Sequence, residues 1–136
     1  MISGICLVAG ALGTFVPAPR FTLAWMHSIE KIRWEEDYVA SEGELRLVEA
    51  RIRGSGAGME PPDGARLRDG AWHYHPTLDR FARLVLARSR FTADYEICYA
   101  DRCHPMGEYV PIEAGTTTLV PASAAATCVQ ATGATR

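Results

Sequence analysis

Apolar and polar residues alternate over several short stretches of this chain. In residues 20–27, Phe21, Leu23, Trp25 and His27 fall on one face, and Thr22, Ala24 and Met26 on the other. That period of two predicts a half-buried strand. Residues 32–40 repeat it, with Ile32, Trp34, Glu36, Tyr38 and Ala40 on one face, and residues 45–52 form a third strand. Ser41-Glu42-Gly43-Glu44 joins the second to the third, with Gly43 placed for positive φ. Residues 71–75 read as a short aromatic strand after an Asp69-Gly70 turn, and residues 91–99 and 116–120 as further strands. Residues 78–87 fit either element, since the spacing of Leu78, Phe81, Ala82, Val85 and Leu86 suits a helix and 83–87 alone suits a strand. About seven short strands at this spacing predict an all-β fold, a small antiparallel β-sandwich or open barrel.

The ends have a different composition. Residues 1–18 hold no Lys, Arg, Asp or Glu and are rich in Gly and Ala. This run has the apolar stretch of an export signal or short anchor, without a basic start, and is short for a transmembrane helix. A buried first strand or helix of the domain is the other reading. Residues 122–136 are Ala- and Thr-rich and aperiodic, and are expected to be disordered. The expected organisation is a signal-like or anchor segment at 1–19, one β-rich domain at 20–121, and a tail at 122–136.

The chain has 136 residues and a formal net charge of −2. It therefore lacks the basic balance that a nucleic-acid or polybasic membrane-surface protein carries. Of the four cysteines, Cys98 and Cys103 lie in ICYADRC, which is not zinc spacing. With Ala100-Asp101 as a tight turn, the two cysteines oppose each other across a hairpin, within disulfide range. A Cys98–Cys103 disulfide is expected if the protein is exported, with Cys128 left free; two reduced neighbouring thiols are the alternative.

No nucleophile stands out. His27 and Ser28 are neighbours on a strand and point to opposite faces, which is not a triad geometry. The glycine-rich run 54–58 is followed by Pro61-Pro62, which removes the helix N-terminus a phosphate loop needs. Gly56 and Gly58 are expected to serve a tight turn or a close contact with a partner. His73 and His75 share a strand face, but two ligands alone more often mark a surface pair than a metal site. No cofactor is expected, and the sequence identifies no metal.

Strict alternation also predicts a register. A hairpin of residues 21–27 and 32–40 pairs Trp25 with Trp34 and Leu23 with Glu36. Continuing into residues 45–53 pairs Tyr38 with Leu47 and Glu36 with Glu49. Two carboxylates would then face each other, with Arg51 as the nearest counter-ion and His27 further along the same face. That cluster would be a structural network closed by Arg51, or open to a cation or a ligand amine.

An aromatic-rich strand ending in His27-Ser28, then Glu30, the pair Glu35-Glu36, and Glu49 shortly before Gly56-Ala57-Gly58 resembles the family called domain of unknown function 1850. The Cys98/Cys103 hairpin is similar too, and the resemblance spans about residues 20–121. It implies a small exported protein, periplasmic or anchored on the outer face of the cytoplasmic membrane. The implied role is accessory or binding protein to a tripartite ATP-independent periplasmic transporter, with the transporter's membrane subunit or its binding protein as partner. Composition and spacing do not show that role. The alternative is a small carboxylate- and histidine-based metal-binding protein or hydrolase-like enzyme. The absence of a nucleophile and of a complete metal set makes it secondary.

Overall fold

The computed structural model describes residues 1–27, 31–53, 62–123 and Cys128. Twelve strands occur among them: β1 (Gly4–Ala9), β2 (Leu12–Val16), β3 (Arg20–Met26), β4 (Arg33–Ser41), β5 (Glu44–Arg53), β6 (Arg66–Arg68), β7 (Ala71–Tyr74), β8 (Arg80–Phe81), β9 (Leu84–Leu86), β10 (Glu96–Tyr99), β11 (Arg102–Pro105) and β12 (Thr117–Ala122). They form two antiparallel sheets that do not close into a barrel. The smaller has the order β2-β1-β12-β9; the larger runs β11-β10-β3-β4-β5-β7-β6, with β8 also paired to β5. The all-β sandwich expected from alternation is the fold observed. Several strands are only two to four residues long, too short for periodicity to reveal, and the count therefore exceeds seven.

Residues 1–19 take the buried-strand course. β1 pairs β12 over Gly4–Val8 and β2 over Ile5–Ala9. Ile5, Cys6 and Leu7 are completely buried. An apolar run with β-branched residues is what a strand covered on both faces requires, and it resembles a signal core for the same reason. Of the 122–136 segment, Ala122 and Cys128 are tied in. Ala122 ends β12, and Cys128 is disulfide-bonded to Cys6, so the expectation of a free Cys128 is corrected. Residues 124–127 and 129–136 of the expected disordered tail lie outside the described residues. The fold thus extends beyond the 20–121 bounds at both ends.

The core lies between the sheets. Ile5, Leu7, Val16 and Leu119 from the smaller sheet meet Phe21, Leu23, Tyr38, Leu45, Leu47 and Ile97 from the larger. Met106 and Val110, from the connection after β11, close the same core. On the other face of β1, Cys6, Ala122 and Cys128 pack together. Residues 78–87 form β8 and β9 rather than a helix. Only Glu96–Tyr99 of the strand expected at 91–99 is extended. The preceding stretch instead brings Asp94 against Arg88. The Arg88 side chain is wholly buried, and its guanidinium donates to both Asp94 oxygens, to Thr117 Oγ1 and to the Val110 carbonyl, at 2.8–2.9 Å.

Two-residue turns set the hairpins. Asp69 and Gly70 between β6 and β7, and Ala100 and Asp101 between β10 and β11, all have positive φ, as a type I′ turn requires. Cys98 therefore opposes Cys103, and the two are bonded as expected.

Candidate functional site

The site is built on β4 and β5, and their register decides which groups meet. β3 and β4 pair as alternation predicts, Trp25 with Trp34 and Leu23 with Glu36. Tyr38 also pairs with Leu47 as expected. Beyond that, a bulge shifts the ladder: Asp37 opposes Glu49, and Glu36 opposes Ala50. The extra residue is Val48 on β5. Its carbonyl accepts from the His75 ring, which also contacts Asp79, and the Asp79 carbonyl accepts from Leu47 N–H at 2.8 Å. A bulge leaves backbone groups out of the ladder, and this contact satisfies one of them.

The bulge places Glu36 and Glu49 on opposite faces. The expected pairing of those carboxylates, and Arg51 as counter-ion to Glu36, are therefore corrected. Glu36 stays inside with Trp25, Trp34 and Tyr38, while Glu35, Glu49 and Arg51 lie outside.

The outer face carries a continuous ion-pair network. Arg51 donates to Glu35 at 2.9 Å, to both Asp37 oxygens at 2.6 and 2.7 Å, and to Glu49 at 2.9 Å. Glu35, itself 8% exposed, also accepts from Arg33 at 2.8 Å and lies 3.1 Å from Arg53. Arg33 reaches Glu96 on β10 at 2.6 Å, and its other amino group lies 3.6–3.7 Å from the Cys98 and Cys103 sulfurs. At the far side Glu49 meets His73 at 3.0 Å and Arg68 at 3.8 Å. Thr22 donates to Asp37. The chain of contacts crosses the sheet from β11 to β6. Every carboxylate in it is matched by arginine, which suits a structural network and leaves little charge for a ligand.

Those contacts set the titration. Burial acts to raise Glu35, but hydrogen bonds from Arg33, Arg51 and Arg53 outweigh it and bring the carboxyl down to about 2. Asp37 and Glu49 are likewise lowered against the effect of burial, Asp37 by Arg51 and Thr22, Glu49 by His73 and Arg51. A carboxyl lowered on folding stabilises above its unfolded value and loses that contribution as pH falls through its folded value. The melting midpoint should hold near neutral pH and fall from about 4.5 toward about 2. Glu36, raised by burial, acts in the opposite sense but is one group against three. Circular-dichroism melts across that range check this, and a midpoint that stays flat contradicts it.

The inner face is aromatic. Trp25 stacks on Trp34 at 6.2 Å and meets Tyr95 at 6.0 Å, while the His27 ring lies over Trp34 at 5.9 Å. His27 also borders an open cleft with Trp25, Arg88, Asp94 and Tyr95. Ser28, Glu30, Gly56 and Gly58, singled out in the sequence, lie outside the described residues. Arg33, Asp37 and Glu96 were missed, and His73 reads in the sequence only as one of a surface pair with His75. Their signal was charge at every second position, Arg33-x-Glu35-x-Asp37 and Glu49-x-Arg51-x-Arg53, alternating with inward residues. Among the described residues no group of three or more His, Cys, Asp or Glu is arranged to hold a metal ion, and no helix is long and apolar enough to cross a membrane.

A family model, Domain of unknown function (DUF1850), matches residues 21–106. No curated protein and no solved structure matches the chain. The matched span takes in the ion-pair network, the aromatic face, the Arg88–Asp94 pair and the Cys98–Cys103 hairpin; β1, β2 and β12 lie outside it.

Proposed function

The chain belongs to the DUF1850 family, and from that premise we propose that it is an exported accessory or binding protein on the outer side of the cytoplasmic membrane. Its partner in this reading is a tripartite ATP-independent periplasmic transport system, through the membrane subunit or the binding protein. The observation that carries export is that all four cysteines are paired, Cys6 with Cys128 and Cys98 with Cys103. Such bonds persist in oxidising compartments and are rare in reducing ones. The apolar N-terminus lends no support, because the fold uses it as β1 and β2. The charged groups described on the outer face are committed to one another, which disfavours their use as acid or base in turnover.

The test is affinity capture of the tagged whole chain from solubilised membranes, beside a fusion of the whole chain to a reporter active only outside the cytoplasm. An active reporter and recovery of a transporter subunit or its binding protein are expected. A silent reporter, or recovery of cytoplasmic proteins alone, would overturn the reading.

A further inference from the structure

The protein's three tryptophans share one face of the larger sheet. Trp25 is paired with Trp34, Trp34 with Ile52, and Ile52 with Trp72. One step along, Leu23 is paired with Glu36, Glu36 with Ala50, and Ala50 with Tyr74. Trp34, Trp72 and Tyr74 stand apart from the core cluster that the smaller sheet covers, and all three are half-buried. Ala50, between Glu36 and Tyr74 in the pairing, is small and buried.

Glu36 is the carboxylate set among these rings. One oxygen accepts from Tyr38 Oη at 2.7 Å. Among the described residues no Arg, Lys or His pairs with it, because the bulge sends Arg51 to the opposite face, where Arg33 and Arg53 also bind Glu35. Burial raises the Glu36 carboxyl and the phenols of Tyr74 and Tyr95; the Glu36 charge adds to the rise at Tyr74, and at Tyr95 it adds to a larger effect of the Asp94 charge. Among the described residues, Trp34 Nε1 is a buried donor without an acceptor on this face. A partly desolvated carboxylate with one neutral donor is costly unless a cation joins it.

We propose that Glu36, with Trp25, Trp34, Tyr74 and Tyr95 around it, binds a small organic ammonium ion. Ammonium N–H groups would donate to the carboxylate, and the positive charge would lie against ring faces, whose quadrupole favours it. A hard divalent cation fits less well, since it takes six or more oxygens and Glu36 with Tyr38 supplies few. An anion would meet the carboxylate unscreened. The inference goes beyond the accessory reading and does not depend on export or on a transport partner, because it is tested on purified protein.

Tryptophan fluorescence of the oxidised full chain is titrated with ethylammonium and tetramethylammonium chloride at constant ionic strength, with tert-butanol and potassium as comparators. Saturable binding of at least one ammonium, in the millimolar range or tighter, is expected, without saturation by either comparator. Glu36→Gln should weaken it about tenfold or more while keeping the melting midpoint close to that of the parent. If Glu36→Gln does not fold, Tyr74→Leu takes its place with the same expected loss. Absence of saturable binding by both ammonium ions overturns the proposal. So does equal response to tert-butanol or potassium, or binding unchanged in the variant.

Discussion

Replacing Cys6 and Cys128 together by alanine is expected to lower stability by about 5 kcal/mol. The two are 122 residues apart in sequence, so their bond closes nearly the whole chain into one loop. In the chain-entropy model the effect grows with the logarithm of loop length, and the five-residue separation of Cys98 and Cys103 gives only about 2 kcal/mol. Both long-range cysteines are also buried, Cys6 wholly and Cys128 to within 1%, so their removal loses packing against Ala122 and its neighbours. A domain of this size has a net stability of roughly 5–15 kcal/mol, so the variant should approach the edge of folding at ambient temperature. Urea unfolding of the oxidised parent and the double variant measures the difference. An unchanged midpoint would mean that this bond does little to constrain the unfolded chain.

Arg88→Met should cost about 3–5 kcal/mol. Nothing of the Arg88 side chain reaches solvent, and its guanidinium serves Asp94, Thr117 and the Val110 carbonyl together. Methionine fills much of the volume but leaves the Asp94 carboxylate without its counter-charge and two further acceptors without a donor. The effect comes from what is orphaned more than from the pair itself. Arg88→Met with Asp94→Leu should therefore recover part of the loss. Denaturation of the three proteins decides it: a single variant as stable as the parent, or a double variant less stable than the single, contradicts this account.

The arrangement of strands was legible wherever alternation was long. β3, the first half of β4 and their shared register follow from Phe21, Leu23, Trp25, Trp34 and Glu36. The Cys98–Cys103 hairpin follows from its four-residue spacing and a turn at Ala100-Asp101. The expected cluster around Glu36 and Glu49 failed for one physical reason. In β5 the buried positions run Leu45, Leu47, then Ala50, Ile52, so the inward phase changes at Val48. That three-residue step is visible in the chain, but a bulge and a strict strand differ by a single residue, and strict alternation does not distinguish them. β1 was ambiguous because a strand buried on both faces and an export signal share one composition. Arg88 was unreadable, since its partners lie 6 to 29 residues away and meet only when the connections around β10 and β12 fold.

The central claim is that this domain matures with both disulfides closed and with Cys6 still part of it. The most direct measurement blocks free thiols at lysis, purifies the protein from its native cells, and records its intact mass before and after reduction and a second alkylation. The account predicts no label before reduction, four labels after it, and a mass that retains Cys6. Labelling of any cysteine in the folded protein before reduction, or a mature chain that begins beyond Cys6, would contradict it.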